Sequence, residues 1–473
     1  MSGVDILFAN SYFLSKDRKH QRIEGPFPPL GLLCLASVLR DKGYSVKVFD
    51  GTFESGPEDF GEAIDANHAK SVGIYSTVIS RRQALEMAGI AKRRGCSVLA
   101  GGPDPSSSPM TYIGGGVDIV GLGEGEETIV ELMDKANGGD LSGVPGIAYS
   151  ENGKMHRTQP RPYITDLDAL PLPARDLVDM SAYLDITRRF HGVSQTTVMT
   201  SRGCPFKCTW CAKPVFGNMY RHRDPAKVAE ELMHLKQVYH PEQIRFADDV
   251  FTMNRGLTLR LCDEIERRDA IIPFECLSRV DLIDEELLDR LKQAGCRRIL
   301  YGIESGSQSV LHSMKKGITL EEIRNVSRMT KARGIEQYWF LIFGYPGEGG
   351  DDIKATIELV RSLVPEGFGI TVAYPLPGTE FHEIVRTTLR EDEHWRIGRD
   401  NALLYRARYP ASFYRACIYG TRAVHAAATT RSTRPGRVSR MLDKAVARGV
   451  GAMVGVFDAI RAGEDGKLQA EGQ

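Results

Sequence analysis

Three residues stand out for their chemistry. Cys204, Cys208 and Cys211 fall in Ser201-Arg202-Gly203-Cys204-Pro205-Phe206-Lys207-Cys208-Thr209-Trp210-Cys211, a C-x3-C-x2-C run. Three thiolates are an incomplete set for a tetrahedral zinc ion, and they leave one iron of a 4Fe-4S cluster without a protein ligand. An open iron is a place for a substrate or cofactor to chelate. Spacing alone leaves three readings open: a cluster, a zinc site completed by a distant ligand, or coincidence. The other six cysteines, Cys34, Cys96, Cys262, Cys276, Cys296 and Cys417, sit mostly in apolar or helical contexts. They are expected to fill cores as small hydrophobes.

The elements around the triplet form a repeating series. From residue 193 to 380, apolar runs alternate with helical stretches: TTVMTS, QIRFADD, IPFECLSR, RRILYGIES, YWFLIFG and FGITVAY. Six such repeats fit a partial (β/α)6 barrel of the TIM type, whose site would lie at the carboxyl ends of its strands. The cysteines follow the first strand. Asp248 and Asp249 follow the second, Ser278 and Arg279 end the third, and Glu304 ends the fourth.

A different alternating series precedes it. Residues 1–144 carry short apolar runs at Asp5 to Asn10, Ser45 to Phe49, Val72 to Ser76, Ser97 to Ala100 and Asp118 to Val120, separated by helical periodicity. This predicts an α/β unit of Rossmann-like, doubly wound form with a parallel sheet. PPLGLLCLASVLRDKG is a well-signalled helix, with Pro28 and Pro29 at its start and Gly43 past its end. Polar or glycine-bearing turns follow the later strands: Ser76-Thr77, Gly101-Gly102-Pro103-Asp104 and Gly121-Leu122-Gly123-Glu124-Gly125. Each alone reads as a tight turn. Three on one sheet edge suggest a large ligand lying against backbone N–H groups. No G-x-G-x-x-G follows the first strand, where Asn10-Ser11-Tyr12 stands, so a dinucleotide site is set aside.

Residues 145–192 show proline punctuation and little period, and are expected to be an ordered connector. Residues 381–473 read as a small helical, basic region. There Arg431, Arg434, Arg437, Arg440, Lys444 and Arg448 precede GVGAMVGVFDAI. Such a helix suits either a membrane surface or packing on the barrel with its charged face solvated; the latter is the expectation.

Composition narrows the function classes. The 473 residues suggest about three structural units. Lys and Arg total 61 against 61 Asp and Glu, without the basic excess of a nucleic-acid binder. No apolar run approaches the ~20 residues of a membrane span, and MSGVDILFANSYFLSKD lacks the sections of a signal peptide. The expected location is cytoplasmic.

The cysteine triplet, with Trp210 before its last cysteine and a barrel behind it, resembles the radical S-adenosylmethionine superfamily. PPLGLLCLASVLRDKGYSVKVFD, AGGPDPSSSP and VDIVGLGEGEETI resemble the cobalamin-binding domain that precedes the barrel in the cobalamin-dependent branch. FGYPGE and YPLPGTEFHE resemble its later barrel loops. The resemblance spans roughly residues 1 to 380. It implies a 4Fe-4S cluster on Cys204, Cys208 and Cys211 and an open iron chelated by S-adenosylmethionine. One electron then cleaves the sulfonium to give methionine and a 5′-deoxyadenosyl radical. It further implies S-adenosylmethionine contacts from Trp210, Asp248, Asp249, Ser278, Arg279 and Glu304. Cobalamin contacts would come from Pro29, Leu30, Gly31, Ser76, Thr77, Gly101, Gly102, Pro103, Gly121, Gly123, Glu124 and Gly125. A one-electron donor such as a flavodoxin or ferredoxin and a small-molecule substrate belong to the same picture.

Two departures matter. After Asp50 the chain reads Gly-Thr-Phe-Glu-Ser-Gly, so the Asp-x-His-x-x-Gly histidine that binds cobalt from below in many cobalamin domains is missing, as is usual in this branch. Asp104 stands where the family often has His. The commonest chemistry of the branch is methyl transfer to an unactivated carbon. The alternatives are a cyclase or oxidoreductase acting on a large hydrophobic substrate, to which NALLYRARYPASFYRA bears a weak likeness through the anaerobic magnesium-protoporphyrin ester cyclases, and a non-catalytic cobalamin or metal sensor. Methylthiotransferases would need three further cysteines in the first domain, where only Cys34 and Cys96 occur.

Overall fold

The computed structural model describes residues 3–17, 25–135, 139–390, 403–434 and 436–470, with backbone alone beyond 457. Asn401 and Ala402 of the cyclase-like run lie outside the described residues.

The first sheet contains β1 (Ile6–Asn10), β2 (Val46–Asp50), β3 (Ser71–Tyr75), β4 (Ser97–Gly101), β5 (Ile119–Gly121), β6 (Ile147–Glu151) and β7 (Lys154–Arg157), in the order β2-β1-β3-β4-β5-β6-β7. β1 to β5 are parallel, while β6 and β7 are antiparallel. Both faces are buried, which is why the strands read as nearly continuous apolar runs. Ile6 and Phe8 pack with Leu32, Leu33 and Leu39 of the helix Leu30–Asp41. Leu7 and Ala9 pack on the opposite face with Phe60 and Ala88. The strand order reverses between β1 and β3, so the crevice of this doubly wound unit opens at their carboxyl ends.

The connector expected over 145–192 is corrected here. Its first part is the β6–β7 hairpin, which extends the amino-terminal sheet, and its last part is the helix Met180–His191. Asp179 caps that helix through Ala182 N–H, and Gly192, at φ +77°, ends it. The hairpin turn Asn152-Gly153 has both residues at positive φ. That is the Asn-Gly signature of a tight two-residue turn.

The second sheet is open and wholly parallel, in the order β15-β14-β13-β12-β11-β8. Its strands are β8 (Gln195–Val198), β11 (Gln243–Phe246), β12 (Phe274–Ser278), β13 (Cys296–Glu304), β14 (Glu336–Phe343) and β15 (Gly367–Val372). A two-stranded ribbon, β9 (Ser201–Arg202) with β10 (Arg221–His222), brackets the cysteine loop beyond β8. The core is filled from the strands by Val198, Phe246, Phe274, Tyr301 and Trp339, and from the outer helices by Leu261, Leu288 and Ile357. Cys96, Cys262, Cys276, Cys296 and Cys417 are buried as expected; Cys34 is half-buried. Helices Ala411–Thr433 and Arg437–Ala470 pack on each other and on the helix Gly350–Leu363. No helix among the described residues is long and apolar enough to cross a membrane.

Candidate functional site

The edge of the first sheet and the barrel mouth enclose one cavity of about 720 Å³. Its wall on the sheet side includes Pro29, Leu30, Gly31, Thr77, Gly101, Gly102, Pro103, Gly121, Gly123, Glu124 and Gly125. An added Cβ at Gly101 would meet nothing within 4 Å, and one at Gly121 only Ala100 O at 3.8 Å. The space above those two backbones is therefore the cavity itself, a cradle that side chains would fill. No histidine lines it among the described residues. Thr52 occupies the place of the missing imidazole, with its hydroxyl bonded to Asn10 Nδ2 at 3.0 Å and to the Tyr183 hydroxyl at 2.9 Å.

Two expected cavity contacts have other partners. Ser76 stands behind the wall, where its hydroxyl donates to Thr77 O and accepts from the Tyr112 hydroxyl at 2.8 Å. Glu124 touches the cavity, but its carboxylate is spent on the β9–β10 ribbon and on Ile164 of the segment before it. Arg202 Nη1 donates to Oε1 at 2.8 Å, Arg221 Nη1 to Oε2 at 2.6 Å, and Ile164 N–H to Oε2 at 3.0 Å. Arg202 also reaches Glu126 at 2.6 Å, and its guanidinium lies over Phe216. Glu124 thus ties the two units together. Asp104 is likewise engaged, in a buried pair with Arg81 and a 2.6 Å bond from the Tyr112 hydroxyl. Cys34 lines the cavity rather than filling a core; burial and the neighbouring Glu126 push its thiol up to about 12, so it is held as the neutral thiol.

The cysteine loop runs between β9 and β10, and its second half, Ala212 to Phe216, forms part of the cavity wall. Cys204 is buried, Cys208 half-buried and Cys211 exposed. Gly203 starts the loop at φ +82°, where an added Cβ would sit 2.2 Å from Met219 O; no other residue fits. Lys213 staples the turn, donating to Cys204 O at 2.7 Å, to Phe206 O and to Asn218 Oδ1 at 3.1 Å. Thr209 N–H bonds Met314 O, and Thr209 O accepts from Phe381 N–H, tying the loop to two barrel elements. Among the described residues no three His, Cys, Asp or Glu side chains converge on a point that would hold a single metal ion.

Arg279, buried, is clamped by Asp281 at 2.9 and 3.0 Å and by Lys316 O at 2.7 Å. Its guanidinium stacks 3.6 Å from the Phe206 ring and comes within 3.9 Å of Cys208 Sγ. Glu304, at φ +64°, meets Lys316 Nζ at 2.9 Å, and that ammonium lies 5.3 Å from the Trp210 ring. Asp249 faces the cavity.

Asp248 and Ser278 have partners within the chain. Asp248 accepts from the backbone N–H and hydroxyl of Thr200 and from the Ser201 hydroxyl, so it braces the start of the cysteine loop; burial raises its carboxyl to about 6. The Ser278 hydroxyl is shared with Thr252 at 2.6 Å and with Arg279 O. Sequence reasoning missed Lys213, Arg202, Arg221 and Lys316. Arg202, two residues before Cys204, was within reach of the motif. Arg221 reaches Glu124 across 97 residues, whereas the partners of Lys213, Cys204, Phe206 and Asn218, are local and could have been sought in the loop. Glu348, in FGYPGE, is buried with Oε1 unpartnered; burial raises its carboxyl to about 8.

Comparison with known proteins agrees with this geometry. The Radical SAM superfamily matches residues 198–360, and the B12 binding domain matches residues 21–133. The uncharacterized methyltransferase PH0819 of Pyrococcus horikoshii is 34% identical over 377 residues, covering 78% of this chain and 81% of the relative. The chain belongs to the cobalamin-dependent radical S-adenosylmethionine enzymes. Its cofactors are those of the family: a 4Fe-4S cluster, S-adenosylmethionine and cobalamin. The anaerobic magnesium-protoporphyrin IX monomethyl ester cyclase of Synechocystis sp. is 28% identical over 331 residues, covering 65% of this chain and 63% of the cyclase. Among solved structures, the radical S-adenosylmethionine methyltransferase TsrM from Kitasatospora setae, with cobalamin and a [4Fe-4S] cluster bound, shares the fold. Its TM-score is 0.69 at 22% identity, with 82% of this chain and 75% of that chain covered.

Proposed function

We propose that this enzyme transfers a methyl group to an unactivated carbon of a small-molecule substrate. One observation carries the reading: a single loop bears Cys204, Cys208 and Cys211 and also walls the cavity lined by the glycine turns of the first sheet. This shared loop supports a cluster site beside the cavity that would take cobalamin. The methyltransferase relatives support the same reading. When bound, the reduced cluster supplies the electron that splits the sulfonium, and cobalamin supplies a methyl carrier.

The chain's own residues do the placing. Cys204, Cys208 and Cys211 hold the cluster, while Lys213 and Arg279 fix the loop that presents it. Asp249 offers a carboxylate toward the cavity for the ammonium and sulfonium charges of S-adenosylmethionine, where opposite charge at low water content fixes orientation. Lys316 pairs with Glu304 and lies over the Trp210 ring. Pro29, Leu30, Gly31, Thr77, Gly101, Gly102, Pro103, Gly121, Gly123 and Gly125 give cobalamin an apolar wall and close backbone approach. Water exclusion follows from the sealing of the two units by Glu124 and Glu126.

The test uses anaerobically reconstituted, reduced protein with S-adenosylmethionine alone. Methyl transfer predicts S-adenosylhomocysteine in proportion to bound cobalamin, with 5′-deoxyadenosine beside it. The cyclase-like relative favours a second reading, oxidation or cyclisation without net methyl transfer, which predicts 5′-deoxyadenosine and no S-adenosylhomocysteine. A protein that binds cobalamin and yields neither product would be a sensor.

A further inference from the structure

The outer face of the helix Arg437–Ala470 serves neither the cavity nor the cysteine loop. Its inner face is fixed: Val450, Val454 and Phe457 pack into the barrel-side core. Asp443, buried, accepts from Arg361 Nη1 at 2.8 Å and Arg431 Nη1 at 2.9 Å. Asp443 is the one acidic residue between Arg434 and Phe457, and it points inward. Advancing about 100° per residue, Val438, Met441, Leu442 and Val456 fall within one outward arc, and Arg437, Arg440, Lys444 and Arg448 run along its flank. Val438 is 80% exposed and Met441 62%, and the four basic residues are exposed as well.

We propose that this face docks on an anionic membrane surface. A merely solvated helix has no use for Val438, Met441 and Leu442 exposed side by side, with Val456 farther along the same arc. A second copy of the chain would bring one basic stripe against another with no carboxylate on the face, among the described residues, to answer it. A bilayer rich in acidic headgroups answers both features, with phosphates for the cations and the acyl boundary for the apolar row. The Asp443 clamp holds the helix on the barrel, so the face is presented as a rigid platform rather than as a loose tail.

The full-length protein is sedimented with vesicles of phosphatidylcholine containing a quarter phosphatidylglycerol and with vesicles of phosphatidylcholine alone. Binding to the mixed vesicles only, weakened by added salt, is expected. Each charge removed in the series Arg437→Gln, Arg440→Gln, Lys444→Gln, Arg448→Gln should weaken partitioning about fivefold. Met441→Gln with Leu442→Gln should also weaken it at unchanged charge, with gel-filtration volume and cobalamin content as in the parent. Equal binding to both vesicles, or none to either, overturns the proposal. So does a dimer that Met441→Gln with Leu442→Gln dissolves while no vesicle binding is seen, since that would assign the face to a second copy.

Discussion

Replacing Glu124 by Gln would test how the two units are held together. The side chain keeps its shape, so no void opens, but one carboxylate oxygen becomes an N–H donor facing a guanidinium. Arg221 has its shortest bond, 2.6 Å, to this carboxylate, and only 4% of its side chain is exposed. Arg202 retains Glu126. Removing one partner from a buried ion pair costs up to about 3–5 kcal/mol, because the other charge loses its counter-charge, and Arg221 would keep only the carbonyls of Ile164, Phe216 and Met219. The expected result is a loss of that size in urea unfolding under anaerobic conditions, with weaker cobalamin retention at the same protein concentration. Adding Arg221→Met should recover part of the loss, since the stranded cation is then gone. The coupling between the two changes should fall in the range of about 0.5–3 kcal/mol seen for contacting residues. A Glu124→Gln variant as stable as the parent would refute the tie. Lost cobalamin at unchanged stability would return Glu124 to the cofactor contacts.

Two further outcomes follow from local geometry. Glu348 has its carboxyl raised to about 8 by burial, against about 4.5 when unfolded. Below the lower value both states are protonated. Between the two, the folded protein holds a proton that the unfolded chain has released, so stability falls as pH rises and the loss is complete above the upper value. From pH 6 to pH 9 this group alone should remove about 3 kcal/mol. Glu348→Gln should flatten the slope in urea titrations at those two pH values, and an unchanged slope would reject the assignment. Gly203→Ala would force Cβ to within 2.2 Å of Met219 O. It should lower iron and sulfide content after anaerobic reconstitution, and full cluster content would show that the loop does not need that backbone conformation.

Much of this was legible in the sequence because it is local. Strand runs, helix ends at Pro29 and Gly43, and the cysteine spacing are all set within a few residues. The hairpin inside 145–192 escaped because β6 and β7 are short and β7 is exposed, although Asn152-Gly153 marked its turn. The roles of acidic residues were the least legible. Asp248 and Asp249 are adjacent and chemically alike, yet one braces Thr200 and Ser201, 48 and 47 residues away, while the other faces the cavity. Glu124 lies in a glycine turn that looks built for a ligand, and its partners are 78 and 97 residues on. Nothing in a local pattern distinguishes a carboxylate awaiting a cofactor from one awaiting an arginine of the next unit.

The most direct measurement is electron paramagnetic resonance of the anaerobically reconstituted, dithionite-reduced protein before and after S-adenosylmethionine is added. A cluster with one iron free of cysteine should give a reduced 4Fe-4S signal whose shape changes on addition, and the signal should vanish when Cys204, Cys208 and Cys211 are all changed to Ala. A reduced signal that survives the triple change, or one that S-adenosylmethionine leaves untouched, would contradict the account.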